Sequence, residues 1–283
     1  MVCFPNAKIN IGLNIIEKRP DGFHNIETVM YPLTGVVSDA LEIVQSSKFK
    51  VQNSGIEIPG SESENLCVKA YNLIRKDYPQ VPEIEIHLLK AIPIGAGLGG
   101  GSADAAFFIR LLNDKFELGI SWGEMHHYAR QLGSDCSFFV SNKPAFAEGK
   151  GDQLESVNLN LSGYYVALVC PDIHINTAEA YRGVILHPGP EGRKHQSPSR
   201  DLGQTVAELP VAQWKKYIHN DFEDSLFPKY PELKKIKEKL YSLGALYASM
   251  SGSGSAMYGI FKRNPALSGK FSKCRVWVAR ASA

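Results

Sequence analysis

The chain has 283 residues, 44% of them hydrophobic, and a formal net charge of +2, a length that supports one large domain or two of ordinary size. The near-balanced charge excludes a dedicated nucleic-acid surface, and no run of about 18 apolar residues is present to cross a membrane. Met1 to Lys8 lacks the charged and apolar regions of a signal peptide, and five cysteines, at 3, 67, 136, 170 and 274, form no CxxC pair and leave one over, which points to a reduced cytoplasm.

In chain order, Pro5-Asn-Ala-Lys8-Ile-Asn10-Ile-Gly12-Leu-Asn14 comes first. Apolar residues at 9, 11, 13 and 15 predict a strand with Lys8, Asn10, Gly12 and Asn14 on its opposite face. That face either lines a site or is the solvated side of an edge strand. Ser63 to Tyr78 reads as a helix with Leu66, Ala70, Leu73 and Ile74 on one side, stopped by Pro79. Ile84 to Leu89 alternates as a half-buried strand should, and it feeds the segment Pro93-Ile-Gly95-Ala-Gly97-Leu-Gly99-Gly100-Gly101-Ser102-Ala103. Ser102 stands where an N-cap belongs, ahead of a helix from Ala103 to Leu112.

Further on, Ser121-Trp-Gly-Glu124 is a capping box that opens a helix ending at Gly133. His126-His127 on that helix reads as a surface pair, the histidines show no HExxH spacing, and no metal site is expected. Asp135 precedes Cys136-Ser-Phe-Phe139 and either caps backbone N–H groups or does chemistry. Cys136 has no histidine placed to activate it and reads as a small core residue. Leu154 to Ser162 is an unpatterned connection, which divides the chain into halves at 1–154 and 155–283. The second half holds a strand from Tyr164 to Cys170 and a stretch from His187 to Gln204, rich in Pro, Gly, Ser and charge, that reads as a mobile loop. Pro231 opens a helix with Leu233, Ile236, Leu240 and Leu243 on one stripe and Gly244 after its end, and strands follow at Ala256 to Phe261 and Val276 to Ala279.

Five glycines in the seven positions from Gly95 to Gly101, set against a helix start, read as a phosphate cradle, the alternative being a flexible linker or a tight turn. Glycine adopts positive φ and lets backbone N–H groups reach an anion, and the helix dipole favours the same charge. What is missing decides among nucleotide loops. No lysine precedes Ser102, so this is not a Walker A loop. No buried strand ending in an acid follows the helix, as a dinucleotide fold would require. Gly101-Ser102 stands where a protein-kinase glycine loop would continue into a strand.

Pro5 to Asn10, Pro93 to Ala106 and Met250-Ser251-Gly252-Ser253-Gly254-Ser255 resemble the three ordered motifs of the GHMP small-molecule kinases, and the resemblance extends from about residue 5 to residue 262. The third segment taken alone also fits a plain hairpin turn. The resemblance implies an α+β fold of two halves, the first like domain 2 of ribosomal protein S5 and the second an α/β sandwich. Residues 1–154 would bind ATP and 155–283 would face the substrate, with the active site in the cleft between them. The implied activity is ATP-dependent phosphorylation of an alcohol, with Mg²⁺ arriving on ATP.

By the same resemblance, Asp135 is the base for the attacking hydroxyl and Lys8 the cation that offsets charge in the transferred group. Asn65, Lys90, Pro93, Gly95, Gly97, Gly99, Gly100, Gly101, Ser102 and Ala103 would contact ATP. Asn10, Phe23, His24, Thr177, Tyr181, Ser251, Gly252, Ser253 and Gly254 would contact the substrate. Asp104 either touches Mg²⁺ through water or favours the helix dipole. Arg19-Pro-Asp-Gly22-Phe23-His24 and Gly133-Ser-Asp135-Cys-Ser-Phe-Phe139 resemble the members of isoprenoid-precursor synthesis whose substrate is a cytidine diphosphate sugar alcohol. Those members usually carry Tyr where this chain has Phe23, so any contact of that hydroxyl is lost. Tyr181 would stack on the cytosine, or else it packs a short helix onto the sheet. A mevalonate- or homoserine-type kinase and a non-catalytic nucleotide-binding relative are the alternatives, and the intact Lys8 and Asp135 count against the latter. A monomer or weak homodimer is expected, with no nucleic-acid or membrane partner.

Overall fold

The structure, a computed structural model, describes residues 1–184, 186 and 201–281. Its elements begin with β1 (Val2–Cys3), β2 (Asn6–Lys18), β3 (His24–Ser38), β4 (Ala40–Gln45) and β5 (Lys50–Gly55), then a 3-10 turn at Glu62–Glu64 and α1 (Leu66–Asp77). β6 (Ile84–Lys90), α2 (Gly100–Phe116), α3 (Trp122–Leu132), α4 (Cys136–Ser141), β7 (Ala145–Glu148) and β8 (Gln153–Ser156) follow. The remainder comprises β9 (Tyr165–Pro171), α5 (Thr177–Arg182), α6 (Leu202–Glu208), α7 (Val211–Tyr217), α8 (Phe222–Lys229), α9 (Pro231–Ser242), β10 (Tyr247–Met250), β11 (Met257–Phe261) and β12 (Cys274–Arg280).

Two compact units result: Met1–Ala7, Val37–Ile94 and Gly99–Asn142 form one, and Lys8–Val36, Gly95–Leu98 and Lys143–Ala283 the other. This division differs from the linear one at 154 and 155, because β2 and β3 build their sheet with β7 and β8 and so carry residues near the N-terminus into the second unit.

In the first unit the sheet runs β1-β4-β6-β5, antiparallel except for β5 beside β6. β6 alternates as its sequence predicts, with Ile84, Ile86 and Leu88 buried and Leu89 exposed. Helices α1, α3 and α4 pack around α2, which also lies against β1 and β4. The first of these starts later than Ser63, because a capping box between Ser61 and Glu64 closes a separate 3-10 turn and Asn65 then caps α1 by accepting the Cys67 N–H. α3 has the expected capping box and ends before Gly133.

The start of α2 corrects an expectation. Its N-cap is Gly99, held at φ 69°, and the helix begins at Gly100, so Ser102 lies inside the first turn rather than at the cap. A left-handed residue breaks the chain direction as well as a capping hydroxyl does, and only glycine adopts it without strain. At the other end α2 continues past Leu112 to Phe116.

In the second unit one sheet runs β10-β11-β9-β12 and another β2-β3-β7-β8. β8 corrects the reading of Leu154 to Ser162 as irregular: Gln153–Ser156 pairs with β7, with Leu154 opposite Ala147. A four-residue strand is too short to show an alternation. The stripe on α9 is as predicted, with Leu233, Ile236 and Leu240 buried against Ala167, Val169, Met257 and Phe261. Of the expected loop, 187–200 lies outside the described residues. From Asp201 onward the chain is helical, because the Asp201 carboxylate accepts the Gln204 N–H and opens α6.

Candidate active site

The glycine-rich segment divides between the two units, and its glycines serve different ends. In the first unit Gly99 turns the chain and Gly100 lies close against its neighbours, since a Cβ there would stand 2.9 Å from Ile92 and 3.3 Å from Lys90 Nζ. Gly101 is different. It is exposed, helical, and the nearest atom to an added Cβ would be Leu66 Cδ1 at 3.9 Å. Glycine in a helix costs about 0.5–1 kcal/mol relative to alanine, and no packing contact requires it here. Intrahelical bonding leaves the N–H groups of Gly100, Gly101 and Ser102 to outside acceptors. Ala103 falls short of the expected ATP contact, because its N–H is bonded to Gly99 O at 2.8 Å and its side chain is buried.

Asn65 lies at the head of α1, whose next residue, Leu66, is the neighbour of Gly101. Its Oδ1 caps the helix, and its buried Nδ2 has no hydrogen-bond partner. Lys90 is placed otherwise than as a nucleoside contact. The residue is 3% exposed, and its ammonium donates to Asp39 Oδ2 and, at 2.7 Å, to Asp104 Oδ2. Burial works against the charged lysine, but Asp104 and Asp39 outweigh it and raise its pKa. Burial likewise pushes the Asp104 carboxyl up to about 7. Asp104 Oδ2 therefore faces a buried lysine, and its buried Oδ1 has no hydrogen-bond partner. Pro93 is partly exposed beyond Ile92.

In the second unit Gly97 has φ 78°, and a Cβ on it would stand 2.0 Å from Ser251 O. Close backbone approach therefore requires this glycine. Ser251 Oγ donates to Gly97 O at 2.8 Å and accepts the Asn10 N–H at 3.2 Å. The Ser251 hydroxyl is thus structural, in place of the expected substrate contact. Gly252 and Gly254 are confined less tightly, an added Cβ standing 3.1 Å from Asn10 Oδ1 and 2.7 Å from Met250 Sδ. Gly95, exposed at φ 68°, lies beside the His174 ring.

β2 is buried on both faces, which overturns the solvated-edge alternative for Lys8. The Lys8 ammonium donates to Asn10 Oδ1; Asn10 Nδ2 donates to Thr28 Oγ1 at 3.0 Å; Thr28 Oγ1 donates to Gly12 O at 2.6 Å. Asn10 is held in turn by Tyr258, whose hydroxyl donates to its carbonyl at 2.9 Å. Its side chain orients Lys8 rather than a substrate.

Asp135 is partly exposed and precedes α4, and its side chain does not cap that helix. Capping is therefore no account of it. Cys136 is fully buried, and burial pushes its thiol up to about 11, as expected of a core residue. His126 lies between Ser137 Oγ at 2.7 Å and Ser141 Oγ at 3.0 Å, and so fastens α3 to α4. Among the described residues no group of three or more His, Cys, Asp or Glu could hold a metal ion.

The substrate-side aromatics lie together in the second unit. The His24 ring stacks on Tyr181, centroids 4.6 Å apart and planes 16° from parallel, and Tyr181 meets Phe222 edge-on at 4.9 Å. Tyr181 thus packs α5 onto the core, as the structural reading of it expects, and its ring is stacked by His24. Phe23 is 58% exposed, with Lys150 Nζ 5.1 Å from its ring centroid. Thr177 Oγ1 and Ser253 Oγ are 3.3 Å apart.

Sequence reasoning missed Thr28, Asp39, Asn220 and Glu223. Asn220 Nδ2 donates to Met250 O and Gly252 O, each at 2.9 Å, and Glu223 Oε1 accepts from Met250 N at 2.8 Å and Ser249 Oγ at 3.0 Å. Asn220 holds the Ser251–Gly254 turn and Glu223 the end of β10 before it, from a distance in sequence that no local pattern reports.

Residues 65–143 match the family described as GHMP kinases N terminal domain, and residues 207–270 the one described as GHMP kinases C terminal. The chain is similar to 4-diphosphocytidyl-2-C-methyl-D-erythritol kinase of Parabacteroides distasonis, 47% identical with 100% of both chains covered. It is similar to the protein of the same name from Cytophaga hutchinsonii, 48% identical over 94% of each chain. Among solved structures it resembles a 4-(cytidine 5'-diphospho)-2C-methyl-D-erythritol kinase, with TM-score 0.78, 29% identity and 100% of both chains covered. It shares its fold with Methanococcus jannaschii mevalonate kinase, TM-score 0.67 at 12% identity over 100% and 98% of the two chains.

Burial raises the thiols of Cys67, Cys136 and Cys170, the last to about 12, so they stay protonated at pH 8. Native protein treated with iodoacetamide at that pH should leave these three unmodified by mass spectrometry, and denaturant should expose all of them. Rapid native alkylation of Cys136 would contradict its assignment to the core.

Proposed function

The chain belongs to the GHMP kinases, and within them to the 4-diphosphocytidyl-2-C-methyl-D-erythritol kinases, and from that membership we propose that it transfers the γ-phosphoryl group of ATP to the 2-hydroxyl of 4-diphosphocytidyl-2-C-methyl-D-erythritol. The observation that carries the nucleotide half of this reading is the open start of α2, where Gly101 leaves space that packing does not require and Asn65 Nδ2 lacks a partner. Phosphate oxygens suit the N–H groups of Gly100 to Ser102, and a ligand acceptor suits the Asn65 amide.

Phosphoryl transfer needs little covalent chemistry from the protein. Positioning and charge stabilisation carry it. In our reading Asp135, which does not cap α4, accepts the proton of the acceptor hydroxyl. Lys8, fixed through Asn10 and Thr28, offsets the negative charge that spreads over the transferred group. Mg²⁺ would supply charge neutralisation on the phosphates. On the substrate side, cytosine would bind at the stacked Tyr181 and His24 rings, with Phe23, Thr177 and Ser253 around it.

We place the enzyme in the cytoplasm, as a monomer or weak homodimer acting on a small molecule. All five cysteines are free, and among the described residues no helix is long and apolar enough to cross a membrane.

A coupled ADP-release assay across cytidine-linked and cytidine-free alcohols tests the assignment: turnover should require the cytidine substrate, and faster turnover of mevalonate or homoserine would reassign it. Gly101→Val should abolish ATP binding with a native circular-dichroism spectrum, because a β-branched side chain would enter the space kept for phosphate. Normal ATP affinity in that variant would put the phosphates elsewhere. Asp135→Asn should keep ADP affinity and lose roughly 10²–10⁴-fold in turnover. An early-melting variant with turnover per folded molecule intact would make Asp135 a structural residue.

A further inference from the structure

The Asp39, Lys90 and Asp104 side chains form a buried charged cluster with no part in the transfer step. Lys90 is the last residue of β6, and the chain runs from it through Ala91 and Ile92 to Pro93. Asp39 Oδ1 accepts the N–H groups of those two residues, Ala91 at 2.6 Å and Ile92 at 2.9 Å, while its Oδ2 accepts from Lys90 Nζ. The same ammonium donates to Asp104 Oδ2, one turn into α2, and lies so close under Gly100 that a Cβ there would be 3.3 Å from Nζ. Asp39 therefore holds the entry to the glycine-rich segment, and Asp104 belongs to the helix at its exit. One lysine joins the two.

Such a cluster is poorly explained as a source of stability. Removing three charges from water is costly, and apolar side chains of similar volume often do as well or better. What charged groups supply that apolar ones do not is a single geometry, since each donor has to meet its acceptor. The first-turn N–H groups of α2 would grip an anion only if they point at one place, which makes fixed ends of the segment valuable.

We propose that Asp39, Lys90 and Asp104 are positioning residues that fix both ends of the glycine-rich segment and so set its affinity for the nucleotide phosphates, with Lys90 acting through the cluster and not on the nucleotide. This rests on the reading of that segment as the ATP site, and the experiment separates the two. Calorimetry with ADP on the wild-type protein tests the site: absence of binding at millimolar ADP overturns both claims. Given wild-type binding, Asp104→Asn, which keeps shape and leaves the Lys90–Asp39 pair, should weaken ADP by about tenfold and raise KM for ATP in step. The kcat and the KM for the alcohol should stay within about twofold. Unchanged ADP affinity, or an equal loss for both substrates, overturns the proposal while leaving the ATP site standing.

A second measurement needs no variant. In wild-type protein with ¹⁵N-labelled lysine side chains, the buried Lys90 ammonium should give a solvent-protected signal, assigned by its absence in Lys90→Met, that ADP leaves in place. A large shift on ADP addition would show direct contact and sink the indirect role.

Discussion

An ammonium withdrawn from water must be met by oxygen atoms in fixed positions, and this requirement shapes each unit of the structure. Lys8 and Lys90 are both 3% exposed. Isolated burial of such a charge costs many kcal/mol, so the group either pairs or loses its proton. The chain meets the demand in two ways. Around Lys8 one acceptor is a neutral amide, itself oriented by Thr28 and the Gly12 carbonyl. Around Lys90 it is a pair of carboxylates. The difference has a consequence. An ammonium held between two carboxylates, as Lys90 is, is already neutralised. Lys90 is therefore suited to architecture, although the family resemblance assigned it a nucleotide contact.

That distinction could not be read from the sequence, and the reason is distance along the chain. The alternation of Ile9, Ile11, Leu13 and Ile15 correctly placed Lys8 and Asn10 on a common face of a strand, because side-chain direction in a strand is a local property with period two. Whether that face met solvent or protein depended on Thr28, Tyr258 and Ser251, none of which is near in sequence. Likewise β6, α3 and α9 carried their own signals in periodicity and capping boxes. Asp39 had none, since its partners at 90 to 92 and 104 are brought to it only by the sheet. Asn220 and Glu223 are legible only once the turn after Met250 lies beside them.

The same limit explains the misplaced helix start. Ser102 has the chemistry of a cap, but capping is a question of backbone conformation, and Gly99 adopts the left-handed region that ends one path and begins another. Composition cannot rank a hydroxyl against a glycine when both are present within four residues.

The glycines themselves are the more instructive case, because a run of them invites a single explanation. Gly97, Gly252 and Gly254 are demanded from inside: an added Cβ on each would meet Ser251 O, Asn10 Oδ1 or Met250 Sδ at 2.0, 3.1 and 2.7 Å. Those three let two chain segments of the second unit approach closely enough for Ser251 to bond Gly97 and Asn10 together. Gly101 is demanded by nothing in the protein, and a helix gains by replacing such a residue with alanine. Of these four glycines, then, the one with the weakest structural justification is the one at the open start of α2. Space that the fold does not use is what a ligand can occupy.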